Sequence, residues 1–136
     1  MSNYTDQSYL RSSQYRNSSN LSARALLHKK YSTNPETWTS WVFNHLALPG
    51  SCRILEVGCG PGYLWQENQQ RISPGWEIVL SDLSPGMLEE AKNILGENFG
   101  VYYSAIDTQQ IPFADNSFEA VIANHMLYHV PFIEQA

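Results

Sequence analysis

The fold is decided by the segment Ile54–Tyr63, which reads ILEVGCGPGY. An apolar run with one acidic residue leads into three alternating glycines, Gly58, Gly60 and Gly62. Because glycine has no Cβ, a ligand can approach the backbone of such a turn closely. The helix that follows directs its free N–H groups and the positive end of its dipole at the same place. The pattern therefore predicts a strand, a turn and a helix that suit a nucleoside ligand with an anionic group.

The spacing of the glycines narrows the choice of ligand. The dinucleotide fingerprint G-x-G-x-x-G requires glycine at position 63, where this chain has Tyr63. An NAD-dependent oxidoreductase is therefore disfavoured but stays an alternative. A second alternative, from the glycines alone, is a turn that only reverses the chain.

Composition limits the chain to one domain and argues against several classes of function. The 136 residues are 43% hydrophobic, enough for a buried core, and the net charge of −5 argues against nucleic-acid binding. No apolar run approaches the roughly 20 residues of a membrane span, and the N-terminus lacks the apolar stretch of a secretory signal. Cys52 and Cys59 lie outside any C-x-x-C pattern. Such cysteines favour a reducing, cytoplasmic compartment.

Two segments precede the glycine-rich core. Residues 1–20 are rich in Ser, Asn, Gln and Tyr, which predicts a flexible N-terminal arm whose tyrosines are candidates to fold over a bound ligand. Residues 21–50 have helical spacing over Leu21–Lys30 and over Pro35–Leu46, with Pro35 at the first helical position. An aromatic stripe on the second helix is predicted to pack on a sheet rather than to line a ligand site. Its members are Trp38, Trp41, Val42 and His45.

From residue 51 onward, short apolar strands alternate with helices. Strands that are apolar on both faces and joined by helices form a parallel sheet with right-handed crossovers. This pattern predicts an α/β, doubly wound fold with the spatial strand order 3-2-1-4. The predicted strands are Arg53–Gly58, Glu77–Asp82, Val101–Ala105 and Phe118–Ala123; the predicted helices are Tyr63–Arg71 and one between the N-cap Ser84 and Gly96.

Acidic residues follow two of these strands. Asp82 ends the second strand, where a carboxylate can accept hydrogen bonds from ribose hydroxyls. Asp107 follows the third strand, where an acceptor meets the exocyclic amine of adenine, and Ile106 is placed to pack on the ring. The alternative for Asp82 is a helix-capping or turn role. Together with the glycine turn, the two carboxylates predict one pocket at the switch point of the sheet.

Four motifs, in order, resemble class I S-adenosylmethionine-dependent methyltransferases of the UbiE/type 11 group, and the resemblance covers Ser51–Phe132. The motifs are Glu56–Gly62 (EVGCGPG), Leu80–Leu88 (LSDLSPGML), Ile106–Phe113 with Phe118–Ile122, and the loop Asn124–His129. The resemblance implies a Rossmann-like class I methyltransferase fold that transfers a methyl group from S-adenosyl-L-methionine to a small-molecule acceptor. It identifies neither the acceptor nor whether oxygen, nitrogen or carbon is methylated.

The resemblance also assigns roles in cofactor binding. In the family, the residue at the position of Glu56 helps to hold the amino group of the methionine part, Asp82 holds the ribose and Asp107 the adenine. Leu83 and Ile106 flank the base. The full set of residues predicted to bind the cofactor is Glu56, Gly58, Cys59, Gly60, Gly62, Asp82, Leu83, Met87, Ile106, Asp107, Asn124 and His125.

The expected reaction is in-line attack of a nucleophile on a sulfonium methyl group. It requires mainly the orientation and desolvation of two partners, and a general base only where the acceptor must lose a proton. His129 and His125 are the candidate catalytic bases, ahead of Tyr128 and Tyr63. The alternative for His129 is a packed histidine at a loop end. Their four-residue spacing is compatible with zinc, but no third ligand accompanies them, so no metal is predicted.

The predicted core, residues 51–136, is incomplete at its C-terminal end. The chain ends at Ala136, inside a helix predicted to begin near Pro131. Sheets of this kind normally continue, so the chain is interpreted as truncated before the later strands, with an open apolar edge on the fourth strand. We therefore expect weak cofactor affinity, little turnover and self-association. A non-catalytic S-adenosylmethionine-binding module is the alternative function.

Overall fold

A four-stranded parallel sheet forms the centre of the molecule. The structure is a computed structural model, and it describes residues 3–97 and 100–136. The strands are β1 (Ser51–Val57), β2 (Gly75–Asp82), β3 (Val101–Ala105) and β4 (Ala120–Ala123). Their spatial order is β3-β2-β1-β4, and each neighbouring pair is parallel. The predicted α/β fold with strand order 3-2-1-4 is confirmed.

The register of the sheet brings the site together. Val57, the last residue of β1, lies opposite Ser81 of β2 and Ala123 of β4. The carboxyl ends of these three strands therefore meet at one edge, and the loops that follow them share one space. This is the edge at which doubly wound sheets bind their ligands.

The described residues also form five α-helices and several shorter turns. The helices are α1 (Gln7–Tyr9), α2 (Ser19–Tyr31), α3 (Trp38–Asn44), α4 (Tyr63–Glu67) and α5 (Pro85–Leu95). A π-helical turn covers Leu10–Gln14, and 3-10 turns cover Asn3–Thr5, Gln69–Arg71, Thr108–Gln110, Leu127–His129 and Ile133–Gln135. No helix among the described residues is long and apolar enough to cross a membrane.

The core packs on both faces of the sheet. On one face, Ile54, Ile78 and Leu80 pack with the fully buried Trp65 of α4. On the other face, a smaller cluster is built on Leu55, Val57 and Val79, with Phe113 and Phe118 packed against it. Burial of each such side chain contributes about 1.5–3 kcal/mol relative to exposure. Packing on both faces holds the carboxyl ends of the strands in place, and the loops that form the site follow these ends.

Helix α5 begins and ends as predicted. The Ser84 side chain caps it by accepting a hydrogen bond from the Met87 N–H at 3.3 Å, Pro85 is its first residue, and Gly96 follows its last residue with φ 75°. Its buried residues lie on one face, as the spacing predicted: Met87, Leu88, Ala91 and Leu95.

Two other helices are shorter than predicted. Helix α3 begins at Trp38 rather than at Pro35, because the Thr37 side chain caps it and accepts a hydrogen bond from the Ser40 N–H. Helix α4 ends at Glu67 because the buried Asn68 leaves the helical conformation, and a separate 3-10 turn follows. Local side-chain bonds of this type compete with helix continuation.

The aromatic stripe of α3 does not pack on the sheet as a whole. The prediction is confirmed for Val42 and is wrong for Trp38, Trp41 and His45, which are exposed. Val42 and Phe43 are buried, whereas Trp38 is 51% exposed and Trp41 is 42% exposed. The two indole rings stack on each other with centroids 5.3 Å apart. The helix thus buries the face centred on Val42 and Phe43 and leaves the tryptophan pair near the site.

The two ends of the chain also differ from the expectations. The residues from Pro131 onward form one 3-10 turn, Ile133–Gln135, instead of the predicted helix. At the other end, residues 3–18, hereafter the N-terminal segment, form short helical turns that contact the loops at the site. The predicted flexibility of residues 1–20 stays a prediction.

Candidate active site

A cavity of about 230 Å³ lies at the carboxyl edge of the sheet. The glycine turn, the loops after β2, β3 and β4, and the N-terminal segment all line it. Most of the residues predicted from the sequence meet there. They are Glu56, Gly58, Cys59, Gly60, Asp82, Leu83, Met87, Asp107, Asn124, His125 and His129.

Two predicted residues lie outside the lining. Gly62 faces α5, where an added Cβ would come 3.0 Å from the Leu95 side chain, so it allows close packing of the turn on that helix. Ile106 is buried, and its N–H donates to the backbone oxygen of Asp82. Their contact with a cofactor stays a prediction.

The glycine turn requires glycine at position 58 for two reasons. Gly58 has φ 65°, in the left-handed region that L side chains rarely adopt. A Cβ there would also come 2.7 Å from the side chain of Met126, in the loop after β4. Glycine therefore lets the loops after β1 and β4 approach each other at the cavity.

The Asp82 carboxylate ties the glycine turn to the end of β2. One oxygen accepts a hydrogen bond from the Gly60 N–H at 2.9 Å, and the other accepts from the Ser84 N–H at 2.8 Å. Burial raises the pKa of the Asp82 carboxyl, and the backbone hydrogen bonds oppose that rise. A carboxylate has about four lone-pair positions, so each oxygen retains capacity for a ligand. The turn role and a ligand role are compatible.

Glu56 places a second carboxylate in the cavity wall, and its side chain is held from two sides. The indole N–H of Trp65 donates to its Oε2 at 2.6 Å, and the Asn124 side chain forms a further hydrogen bond. Burial raises the pKa of Glu56 to about 7, while these two hydrogen bonds lower it and the nearby charge of Asp82 raises it. Within the described ranges, neither Glu56 nor Asp82 forms an ion pair; the two ion pairs found there are Arg53–Glu77 and Lys92–Glu97.

Cys59 lies in the glycine turn, near both carboxylates. Its thiol is buried, forms no disulfide and donates to the backbone oxygen of Gly60 at 3.3 Å. Burial raises the pKa of the thiol, and the charges of Glu56 and Asp82 raise it further. The group therefore remains a neutral thiol at the cavity wall.

Asp107 meets the N-terminal segment. Its Oδ2 accepts a hydrogen bond from the side-chain amide of Gln7 at 2.8 Å, and its Oδ1 accepts from the Gln109 N–H at 3.0 Å. The sequence predicted that Asp107 accepts a hydrogen bond from the exocyclic amine of adenine. In the structure the side-chain nitrogen of Gln7 makes that kind of contact instead. A ligand that uses Asp107 must share this carboxylate with Gln7 or displace it.

His129 is held by two residues of the N-terminal segment. Its Nδ1 lies 2.8 Å from the backbone oxygen of Tyr4, and its Nε2 lies 2.8 Å from the hydroxyl of Tyr15. A carbonyl oxygen can only accept, so Nδ1 carries the proton; in the neutral ring, Nε2 accepts from the Tyr15 hydroxyl. This pairing joins positions 114 residues apart in the sequence.

His125 lies four residues before His129, in the same loop, and has an unusual backbone conformation. Its φ is 52°, a positive value that is costly for a residue with a Cβ. Its ring lies 4.9 Å from the ring of Trp38. Both side chains are exposed and line the cavity, so they form an aromatic wall at its open side.

The N-terminal segment is docked by side-chain and backbone contacts. Leu10 is 5% exposed and anchors it. The Ser84 hydroxyl donates to the backbone oxygen of Tyr15 at 2.6 Å, and the Ser18 N–H donates to Glu90 at 3.0 Å. The backbone oxygen of Arg16 sits so close to Gly86 that a Cβ there would be 2.1 Å away.

Several residues of the site were missed by reasoning from the sequence. Gln7 lies in a polar stretch without periodicity, where no local signal marked it. Tyr15 is one of the three arm tyrosines, with Tyr4 and Tyr9, that were candidates to fold over a ligand, but its pairing with His129 was not predicted. Trp38 was assigned to packing because the α3 stripe fits a sheet as well as a cavity. The contact between Trp65 and Glu56, nine positions apart, was also missed. A buried indole N–H needs an acceptor, and this requirement could have pointed to Glu56. Among the described residues, no three His, Cys, Asp or Glu side chains are grouped to hold a metal ion.

Comparison with known proteins assigns the chain to a family. A family model described as a methyltransferase domain matches residues 54–136, more than half of the chain, and the chain belongs to this family. Its members named below are methyltransferases, in agreement with the resemblance found in the motifs.

Two curated relatives and one solved structure illustrate the similarity. The ubiquinone/menaquinone biosynthesis C-methyltransferase UbiE of Desulfotalea psychrophila is 32% identical over 95 residues, 70% of this chain and 38% of that protein. A malonyl-[acyl-carrier protein] O-methyltransferase of Legionella pneumophila is 38% identical over 76 residues, 56% of this chain and 26% of that protein. A candidate methyltransferase of Bacillus halodurans has the same fold, with a TM-score of 0.62 and 23% identity over 74% of this chain and 43% of that one. The chain spans less than half the length of these relatives.

Proposed function

We propose that this chain binds S-adenosyl-L-methionine in the cavity and takes part in transfer of its methyl group to a small-molecule acceptor. The observation that carries the proposal is a pair of carboxylates, buried Glu56 and half-buried Asp82, which have no cationic partner among the described residues. Buried charges are costly unless they are paired. A ligand with an ammonium group, a sulfonium centre and ribose hydroxyls supplies the missing partners. The pyrophosphate of a dinucleotide would instead be repelled.

The roles of individual residues follow from their positions. Glu56 receives the ammonium group, and Trp65 and Asn124 hold its carboxylate in place for that contact. Asp82 accepts from the ribose with the lone pairs that the Gly60 and Ser84 N–H groups leave free. Gly58 permits close backbone approach, and Asp107 accepts from the base. The apolar side chains of Leu83 and Met87 line the space between these polar groups.

The protein's part in the chemistry is orientation and exclusion of water. When bound, the cofactor supplies a methyl group already activated by its sulfonium charge. The cavity walls hold two reactants in line and limit solvent, which is the main catalytic contribution available to such a site. The aromatic wall of Trp38 and His125 offers an acceptor an apolar surface at the open side.

The acceptor and the atom methylated are left open. One relative is named a C-methyltransferase and the other an O-methyltransferase, so the family accommodates both chemistries. The net charge of −5 supports a small molecule rather than a nucleic acid. The two buried free thiols suit a reducing, cytoplasmic compartment.

A thermal-shift experiment tests the proposal. We expect S-adenosylhomocysteine to raise the melting temperature of the chain and NAD to leave it unchanged, since ligand binding to the folded state alone is stabilising. A shift with NAD and none with S-adenosylhomocysteine would reverse the assignment. Cofactor binding without methyl transfer to any acceptor, in a chain of the relatives' full length, would favour the non-catalytic binding module.

A further inference from the structure

We propose that Tyr15, rather than His129, takes the proton from the methyl acceptor, and that His129 receives Tyr15's own proton. The inference rests on the proposed function and names the class of its acceptor. It adds Tyr15, from the N-terminal segment, to the catalytic residues.

The first step of the argument is that His129 has no ring nitrogen left for an acceptor. Its Nδ1 donates to the Tyr4 backbone oxygen at 2.8 Å, and its Nε2 accepts from the Tyr15 hydroxyl at 2.8 Å. The ring is also enclosed by aromatic neighbours: the Tyr15 ring lies edge-on at 5.1 Å and the Tyr128 ring at 4.3 Å. His129 is therefore a positioned base whose basic nitrogen already has a partner.

The second step concerns the Tyr15 oxygen. Tyr15 is half-buried and lines the cavity, so its hydroxyl oxygen keeps lone-pair capacity beside the reactants after donating its hydrogen to His129. The guanidinium of Arg24 also donates a hydrogen bond to that oxygen, at 3.5 Å. The titratable groups around the pair are thus Arg24, Tyr128 and Tyr4. A phenol hydrogen-bonded to an imidazole is the arrangement by which an adjacent base activates a hydroxyl.

The proton transfers balance without a further reactant. The acceptor's X–H proton passes to the Tyr15 oxygen while the Tyr15 proton passes to His129 Nε2, giving an imidazolium that keeps its Nδ1–H bond to Tyr4. The electron pair freed on X forms the new bond to the methyl carbon. The bond between that carbon and sulfur breaks, and its electron pair stays on sulfur as a neutral thioether. His129 later releases the proton to solvent.

This relay selects a class of acceptor. A phenol, an enol or a carbon acid beside a carbonyl group must lose a proton to be methylated, so it benefits from the pair. A carboxylate ion or a thioether has no such proton. The relay also exists only while the N-terminal segment is docked, because Tyr15 is held there through its backbone oxygen by Ser84.

A coloured phenol tests the inference without requiring turnover. The chain saturated with S-adenosylhomocysteine is titrated with 4-nitrophenol at a pH below the probe's own pKa, where the free probe is mainly protonated. We expect the bound probe to be largely phenolate in the unaltered chain and in the control variant Tyr9→Phe, which makes the same change in the same segment outside the cavity lining. In Tyr15→Phe, and in His129→Asn, which keeps a donor near the Nδ1 position, we expect the ratio of bound phenolate to bound phenol to fall about tenfold, equivalent to one pKa unit.

The possible outcomes are distinguishable. Equal ionisation in Tyr15→Phe and the unaltered chain, or no binding of the phenol to the complex, overturns the inference and leaves the proposed function standing. Retained ionisation in His129→Asn overturns the relay. Failure of S-adenosylhomocysteine to bind any of the folded proteins, measured by calorimetry beforehand, counts against the proposed function and removes the basis of the inference with it.

Discussion

The binding role proposed for Glu56 has a cost in stability. The residue is 3% exposed, and burial raises the pKa of its carboxyl from 4.5 to about 7. Trp65 and Asn124 hold the side chain where a cationic ligand would need it. A buried carboxylate without a cationic partner destabilises the folded state until a cationic ligand binds.

The pH dependence of stability follows from that shift. Between pH 4.5 and about 7 the folded chain binds more protons at Glu56 than the unfolded chain does. The contribution of Glu56 to stability is therefore fully present below pH 4.5 and is lost as the pH rises through about 7. We expect Glu56→Gln, which stays neutral, to be more stable than the unaltered chain by about 3 kcal/mol well above pH 7.

Chemical denaturation of both proteins across this pH range checks the prediction. The difference in the free energy of unfolding should be small near pH 4.5 and grow toward high pH. The same variant should bind S-adenosylhomocysteine more weakly, because it lacks the charge. A constant difference at all pH values would contradict the raised pKa.

Asp82 carries the second prediction at this scale. Asp82→Ala should weaken the binding of S-adenosylmethionine by about 1–3 kcal/mol, the usual loss for hydrogen bonds to a charged group. Part of the loss would come from the glycine turn, since Asp82 also accepts from the Gly60 and Ser84 N–H groups. Asp82→Asn is the matched control, because it keeps one acceptor oxygen and should lose less. Titration calorimetry that finds unchanged affinity in a folded Asp82→Ala protein would refute the ribose assignment.

At the scale of elements, the N-terminal segment packs over the loops that follow the strands and completes the site. Gln7 of this segment forms a hydrogen bond with Asp107, Tyr15 forms one with His129, and Leu10 is buried. Its backbone meets α5 where residue 86 is glycine, so the close approach depends on the missing Cβ. Docking of this segment closes one side of the cavity.

Substitution of that glycine separates docking from folding. In Gly86→Ala the new Cβ would lie 2.1 Å from the Arg16 backbone oxygen, so we expect the N-terminal segment to be displaced. Helix α5 itself should be unaffected or slightly stabilised, since alanine is the better helix former. Hydrogen exchange should show lost protection in residues 3–18 and unchanged protection in β1. Gly50→Ala, where nothing lies within 4 Å of the added Cβ, is the matched control, and equal exchange in the two variants would count against docking through Gly86.

At the scale of the whole molecule, the sheet has an open side at β4. In the part of the chain that the structure describes, β4 pairs with β1 alone. Val121 on this strand is 60% exposed, and Phe132 and Ile133 beyond it are 64% and 53% exposed. An exposed strand edge with apolar side chains favours pairing with another chain.

We therefore expect this chain to self-associate in a concentration-dependent way. Size-exclusion chromatography with light scattering measures the mass across a dilution series. Val121→Lys should shift the distribution toward monomer, because charge on an edge strand opposes pairing. Tyr102→Lys is the comparison on the other edge strand, β3, where Tyr102 is 55% exposed; an equal shift in this variant would place pairing at β3 as well. A stable monomer of the unaltered chain at all concentrations would contradict the prediction.

Local patterns in the sequence determined the framework of the protein. The apolar strands, the glycine turn and the caps of α5 are properties of neighbouring residues. Their periodicity and residue types were sufficient to predict the strand order, and eleven of the thirteen candidate site residues lie in the cavity lining. Helix boundaries were less well predicted, because Thr37 and the side chain of Asn68 decided between alternatives that differ by a single hydrogen bond.

Only the tertiary structure decided how the cavity is closed and which side chains form hydrogen bonds with Asp107 and His129. Gln7 is 100 positions from Asp107, and Tyr15 is 114 positions from His129. No periodicity links residues so far apart, and the polar N-terminal segment carries no apolar pattern that predicts a packed element. The position of this segment depends on the surface above the strand ends, on the missing Cβ at Gly86 and on its hydrogen bonds with Asp107 and His129. The surface and these hydrogen bonds exist only once the sheet has formed.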